Sequence, residues 1–184
     1  MTEEIIIAGF GGQGVLSMGK ILAYSGLMDD KEVTWMPSYG PEQRGGTANV
    51  TVILSDDKIS SPILDSYDIV VALNQQSLDK FASKVKPGGI LIYDTNGVNN
   101  PPTREDITIY PLNAMEATMD IGNPRAYNMI ILGALLEAMS YKIPLENVVK
   151  GLTKSLPARH HSLIPLNETA IEKGRDILKA SNRT

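Results

Sequence analysis

The stretch Ile5-Ile6-Ile7-Ala8-Gly9-Phe10-Gly11-Gly12-Gln13-Gly14-Val15-Leu16 decides the fold. A β-branched apolar run passes into four glycines, and a helical pattern begins directly after them. That order predicts a strand, a tight turn and the N-terminus of a helix. Glycine admits positive φ and removes the Cβ that would keep a ligand from backbone N–H groups. The turn is therefore a place where a phosphate, a carboxylate or another polypeptide comes close to the main chain. No residue of the stretch chooses between these.

Outward from it, apolar Val15, Met18, Ile21, Leu22 and Leu27 predict a helix over 15–27. Val33 to Met36 reads as a second strand stopped by Pro37, and Ala48 to Leu54 as a third. The unbroken apolar run Ile69 to Leu73 suits a strand buried on both faces. Ser77 to Val85 reads as a helix, Gly88-Gly89 as a turn, and Ile90 to Tyr93 and Ile107 to Tyr110 as strands. Helices are expected over 126–139, 145–152 and 168–180. Alternating elements of this kind imply a single domain over 1–184, a three-layer α/β/α Rossmann-like fold with a mostly parallel sheet. The short connection from Pro37 to Thr47 is too tight for a parallel crossover of a dozen residues or more. Strand three is thus expected to run antiparallel to a neighbour, or to be reached by a long surface loop, and the sheet to be mixed.

Composition bounds the function. The 184 residues are 42% hydrophobic and 21% charged, with a net charge of −4 and no cysteine. The acidic balance argues against a nucleic-acid binder. No apolar run reaches the roughly 18 residues of a membrane span, and Met1-Thr2-Glu3-Glu4 is not a signal peptide, so the expected compartment is the cytoplasm. Without thiolates the chain cannot hold an iron–sulfur cluster in the usual way, nor form disulfides.

Gly9-Phe10-Gly11-Gly12-Gln13-Gly14 satisfies G-x-G-x-x-G in the strand–helix context of a dinucleotide site. Such a site also needs an acid at the end of strand two for the ribose. Here that strand ends in Met36-Pro37-Ser38, while Asp29, Asp30 and Glu32 precede it. A nicotinamide cofactor is disfavoured. A second constellation, Ser38-Tyr39-Gly40-Pro41-Glu42-Gln43-Arg44-Gly45-Gly46-Thr47, is placed just beyond strand two, where it and the glycine turn would flank one crevice. Glu42 and Arg44 are candidates to clamp polar groups, Arg44 an anion in two-pronged fashion. The plainer reading is a solvated loop shaped by proline and glycine.

Together, G-F-G-G-Q-G-V and S-Y-G-P-E-Q-R-G-G-T-A-N-V resemble the gamma subunit of 2-oxoacid:ferredoxin oxidoreductases, nearest the 2-oxoglutarate (ketoglutarate) branch. The pyruvate enzymes have a related gamma domain. The likeness continues through Asn123-Pro124-Arg125-Ala126-Tyr127-Asn128-Met129, the apolar helix after it, and Leu166 to Gly174. The resemblance implies a cytoplasmic heteromeric complex converting a 2-oxoacid, coenzyme A and oxidised ferredoxin into acyl-CoA, carbon dioxide and reduced ferredoxin. Thiamine diphosphate and iron–sulfur clusters would lie on alpha, beta and ferredoxin-like partner subunits. This chain would be an accessory subunit, inactive alone, with a homodimer as an allowed state in isolation. Gly9, Gly11, Gly12, Gln13 and Gly14 would then meet a coenzyme A phosphate or a partner subunit. Ser38, Tyr39, Gly40, Pro41, Glu42, Arg44, Gly45 and Gly46 would line the same crevice or seam. Two other classes stand beside it: a stand-alone Rossmann-type oxidoreductase and a purely structural subunit.

Other candidates are thinner. His160 and His161 are adjacent and diverge, which is poor geometry for one metal. Asp94-Thr95-Asn96 is read as a structural loop at a strand end, Asn123 as a helix cap, and Arg125 as an anion or subunit contact. Met18, Met28, Met115, Met119, Met129 and Met139 are read as core or interface packing. No catalytic set and no metal site emerge.

Overall fold

A computed structural model describes residues 1–40 and 46–181. Six strands form one sheet, β1 (Thr2–Phe10), β2 (Glu32–Tyr39), β3 (Thr47–Ser55), β4 (Tyr67–Ala72), β5 (Val85–Asp94) and β6 (Thr108–Leu112), in the order β2-β3-β1-β4-β5-β6. β1, β4, β5 and β6 run parallel, and β3 lies antiparallel between β1 and β2. The expected mixed sheet is thus present, with the reversal at β3.

One face of the sheet carries Ile5, Ile7, Val50, Val52, Leu54, Ile69, Val71 and Ile92, all but sealed from solvent. Five helices cover it: α1 (Val15–Leu27), α3 (Ala114–Ile121), α4 (Tyr127–Ala138), α5 (Leu145–Ser155) and α6 (Ile164–Ser181). The other face, with Ile6, Ala8, Val70, Ala72 and Leu91, packs on Leu78 and Phe81 of the short helix α2 (Gln75–Phe81). Alternation along β1 therefore feeds both cores, each fully buried isoleucine contributing roughly 2–3 kcal/mol. Helix α4 is apolar all round because it is enclosed. A Cβ on Gly133 would lie 2.0 Å from the Ile171 carbonyl oxygen, and one on Gly174 1.9 Å from that of Ile130, so α4 and α6 cross backbone to backbone. No helix among the described residues is long and apolar enough to cross a membrane.

Four expectations need correction. Strand two does not stop at Pro37 but runs to Tyr39. β2 is the sheet edge, where a missing N–H is tolerated. Val85 does not end a helix: after α2 and a 3-10 turn over Ala82–Lys84 it opens β5, and Gly88-Gly89 sit inside that strand. There β5 bulges, Tyr67 pairing with Val85 and Ile69 with Ile90. Helix α3 went unread although Asn113 and Glu116 mark its start; the Asn113 side chain accepts from the Glu116 N–H at 3.2 Å and donates to its carboxylate at 2.8 Å. Of the methionines read as core or interface packing, Met18, Met129 and Met139 are core, while Met115 and Met119 stand exposed on α3.

The amino ends of the strands are tied by charge. Lys86 pairs with Asp68 at 2.7 Å and with Glu4, and Asp56 takes both the Lys31 ammonium and the Met1 amino group.

Candidate functional site

The glycine turn stands at the opposite, carboxyl end of the sheet. Gly12 has φ +100°, and a Cβ there would meet nothing within 4 Å among the described residues; Gly14 has φ +78° and begins α1 without a side-chain cap. The first intrahelical bond runs from the Met18 N–H to the Gly14 carbonyl. The N–H groups of the first turn thus have no partner within the helix, and the helix dipole adds partial positive charge there. Gly14 is also the residue against which Asn128 packs: a Cβ would fall 2.5 Å from the Asn128 side-chain nitrogen.

The turn is joined to the second constellation. The Gly11 N–H donates to the Gly46 carbonyl at 2.9 Å, and the Gly40 N–H to the Thr47 carbonyl at 3.1 Å. Between them opens a cleft of about 760 Å³, floored by Gly11, Gly12 and Gly14, flanked by Val15, Leu16 and Ser17 of α1, and walled by Trp35, Pro37 and Tyr39 of β2. Tyr39 is 63% exposed. Backbone donors at one end and aromatic faces along a wall suit an anionic group attached to a flat or apolar body.

The sequence-derived residues divide in this setting. Gly11, Gly12, Gly14, Tyr39 and Gly46 line the cleft. Gly9 does not; it is buried, and a Cβ there would press on Gln13, Leu73 and Val15. The Gln13 side chain accepts from the Phe10 N–H at 2.7 Å and reaches the Leu73 carbonyl at 3.5 Å, so it braces the turn. Ser38 and Tyr39 belong to β2 itself and, as neighbours on a strand, face opposite sides, Ser38 away from the cleft. Gly40 follows directly. Pro41, Glu42, Gln43, Arg44 and Gly45 lie outside the described residues.

Trp35 and Pro37 were not read as site residues. The signal was there: positions 35, 37 and 39 share a face once the strand is allowed to run through its proline.

Elsewhere several polar candidates have partners within the fold. Buried Asp94 accepts from the Tyr127 hydroxyl at 2.6 Å, and burial, then that carboxylate, push the phenol's pKa upward. Asn123 does cap, accepting from the Arg125 N–H at 3.0 Å. Arg125 is exposed. His161 bonds the Leu156 carbonyl through Nε2. Among the described residues no three His, Cys, Asp or Glu side chains converge on a metal position.

β3 also bears on the dinucleotide reading. In that fold the strand bearing the ribose-binding acid neighbours β1 directly; here β3 intervenes, and the acids Asp29 and Glu32 are at the far end of β2.

Comparison with known proteins gives a consistent picture. The family model described as pyruvate ferredoxin/flavodoxin oxidoreductase matches residues 4–177. Ketoisovalerate oxidoreductase subunit VorA of Methanothermobacter marburgensis is 44% identical over 94% of this chain, which spans 36% of that protein's length. The 2-oxoglutarate synthase subunit KorC of Methanocaldococcus jannaschii is 35% identical over 97% of this chain and 95% of its own. Among solved structures, the 2-oxoglutarate:ferredoxin oxidoreductase of Magnetococcus marinus, with 2-oxoglutarate, coenzyme A and succinyl-CoA bound, superposes with a TM-score of 0.85. Identity there is 27%, over 97% of this chain and 31% of that one.

Proposed function

The chain belongs to the pyruvate ferredoxin/flavodoxin oxidoreductase family, and from that premise we propose that it is the gamma subunit of a 2-oxoglutarate:ferredoxin oxidoreductase whose cleft receives part of coenzyme A. The complex would join a 2-oxoacid to coenzyme A with loss of carbon dioxide, the electrons passing to ferredoxin. Thiamine and cluster chemistry would reside on alpha, beta and ferredoxin-like partners, in keeping with a chain that has no cysteine. The 2-oxoglutarate assignment draws on the KorC relative, which matches in length as well as sequence, although the ketoisovalerate subunit is more identical over the shared stretch.

One observation carries the coenzyme A reading: the open glycine turn and the aromatic wall of β2 share a cleft, held together by the Gly11–Gly46 hydrogen bond. In this reading the backbone at Gly12 and the first turn of α1 hold a phosphate, and Trp35 and Tyr39 flank the organic part. This chain's contribution is to bind and orient the acyl acceptor; no residue here is assigned a covalent step.

The test is a matched pair in the assembled complex. Gly12→Asn and Gly12→Asp impose the same backbone strain, but only the aspartate sets a negative charge against a bound phosphate. At saturating 2-oxoacid, the KM for coenzyme A is expected to be at least about tenfold higher in Gly12→Asp than in Gly12→Asn. Equal values in the two variants would refute the coenzyme A reading.

A further inference from the structure

The start of α1 is not fixed by its own residues. Gly14 begins the helix in the left-handed region, and no side chain caps it. Glycine enters or leaves that region at little cost, so the N–H groups behind it gain a direction only from another element. The braces of the turn stop one residue short. The Gly11 N–H is held by the Gly46 carbonyl, and the Gln13 side chain by Phe10 and Leu73. At Gly14 itself the neighbour is Asn128, in the first turn of α4. The three atoms nearest to where a Gly14 Cβ would stand all belong to it, the amide nitrogen at 2.5 Å, the Cβ at 2.9 Å and the Cγ at 3.0 Å.

Asn128 can act as a stop because the start of α4 is pinned. Asn123 accepts from the Arg125 N–H at 3.0 Å, and Ala126 is sealed in the core. The Tyr127 hydroxyl then donates at 2.6 Å to buried Asp94, the last residue of β5, and Met129 and Ile130 beyond it are core. The segment Asn123-Pro124-Arg125-Ala126-Tyr127-Asn128 thus fixes one point in the fold, and its last side chain carries that point to Gly14. We propose that Asn128 is a positioning residue for the cleft: it holds Gly14 in the left-handed conformation and so aims the first N–H groups of α1 at the anionic group of the ligand. Asn128 is not among the residues lining the cleft, so it acts through Gly14 by its shape. A displacement of about 1 Å in a positioned group can cost on the order of 100-fold, so a small loosening of the turn is felt by the ligand.

The role assigned to Asn128 rests on the coenzyme A reading of the cleft, and the experiment keeps the two apart. In the assembled complex, Asn128→Ala preserves the helix and removes the stop. It is expected to raise the KM for coenzyme A at least about tenfold, with kcat and the KM for the 2-oxoacid as in the parent. Asn128→Leu restores a branched γ-carbon against Gly14 without the amide, and is expected to bring the KM back to within about twofold of the parent. A parental KM in Asn128→Ala, while Gly12→Asp and Gly12→Asn still differ, overturns the role of Asn128 and leaves the coenzyme A reading standing. Equal values in the Gly12 pair remove both. A KM for the 2-oxoacid that rises together with that for coenzyme A would make Asn128 a general support of the chain. Impairment of Asn128→Leu equal to that of Asn128→Ala would place the effect in the amide, and either result likewise overturns positioning by shape.

Discussion

The two edges of the sheet are built to different ends. β6 is five residues long and closed at each terminus. Before it, Arg104 donates to the carbonyls of Ala82 at 2.9 Å and Val85 at 2.8 Å while pairing with Asp106; after it, Asn113 caps α3 and accepts from Asn96 at 2.9 Å. Its last residue, Leu112, is 1% exposed. β2 at the other edge is longer, nearly uncharged, and turns aromatic side chains outward. Both strands contain a proline, so proline alone does not finish an edge. Shortness and a buried terminal side chain set β6 apart; β2 has neither, although Lys31 and Gly40 beside its two ends are tied to Asp56 and Thr47.

The largest effect that would sharpen this contrast is on stability. Leu112→Ala should lower the unfolding free energy of the isolated chain by about 3 kcal/mol, the usual range for an emptied core site, whereas Trp35→Ala should cost about 1 kcal/mol or less. Urea titrations giving equal losses would break the comparison. An intermediate effect is expected where the carboxyl end of β5 is locked to α4. Tyr127→Phe deprives buried Asp94 of a hydroxyl donor and should cost about 2 kcal/mol, read in the same titration; a neutral result would mean that Asp94 is otherwise satisfied. The smallest effect concerns the charged end of β2. The Lys31 ammonium, then the Met1 amino group, hold the Asp56 carboxyl at about 2, below its ordinary range. A carboxylate held low contributes stability that is complete above its unfolded value near 4 and is lost as pH falls toward 2. The thermal midpoint should therefore fall from pH 4 to pH 2 less steeply in Asp56→Asn than in the parent, and parallel curves would remove Asp56 from the account.

Much of this was legible in the sequence because periodicity and turn chemistry are local. Ile5 to Ala8, the helix 15–27 and the apolar runs at 69 and 90 announce buried strands and an amphipathic helix through side-chain spacing alone. The reversal of β3 followed from the length of a connection. What escaped depended on position in the sheet. Pro37 ends a central strand but not an edge one, and a sequence does not state which strand is at the edge. With the proline taken as a stop, Trp35, Pro37 and Tyr39 were never aligned on one face, and the aromatic wall of the cleft went unseen. Gln13 also holds a bracing place that spacing did not show: its amide oxygen accepts from the Phe10 N–H and its nitrogen reaches the Leu73 carbonyl. The Asn113–Glu116 cap, by contrast, was a plain local signal that was passed over.

The reversed strand has a consequence for how the sheet can be assembled. From β1 toward β6 the strands are laid down in chain order, each new one joining the last. On the other side the order is inverted: β2 is synthesised first but lies outermost, and the gap beside β1 is filled by β3, which comes later. β2 therefore has no backbone partner until β3 exists. The simplest route is for the two to close as a hairpin and dock on β1 as a unit, through the pairs running from Thr2 with Ser55 to Phe10 with Thr47. The bond from Gly11 to Gly46 is then the seal made when that hairpin arrives, so the glycine turn takes its final shape only once its far wall is in place.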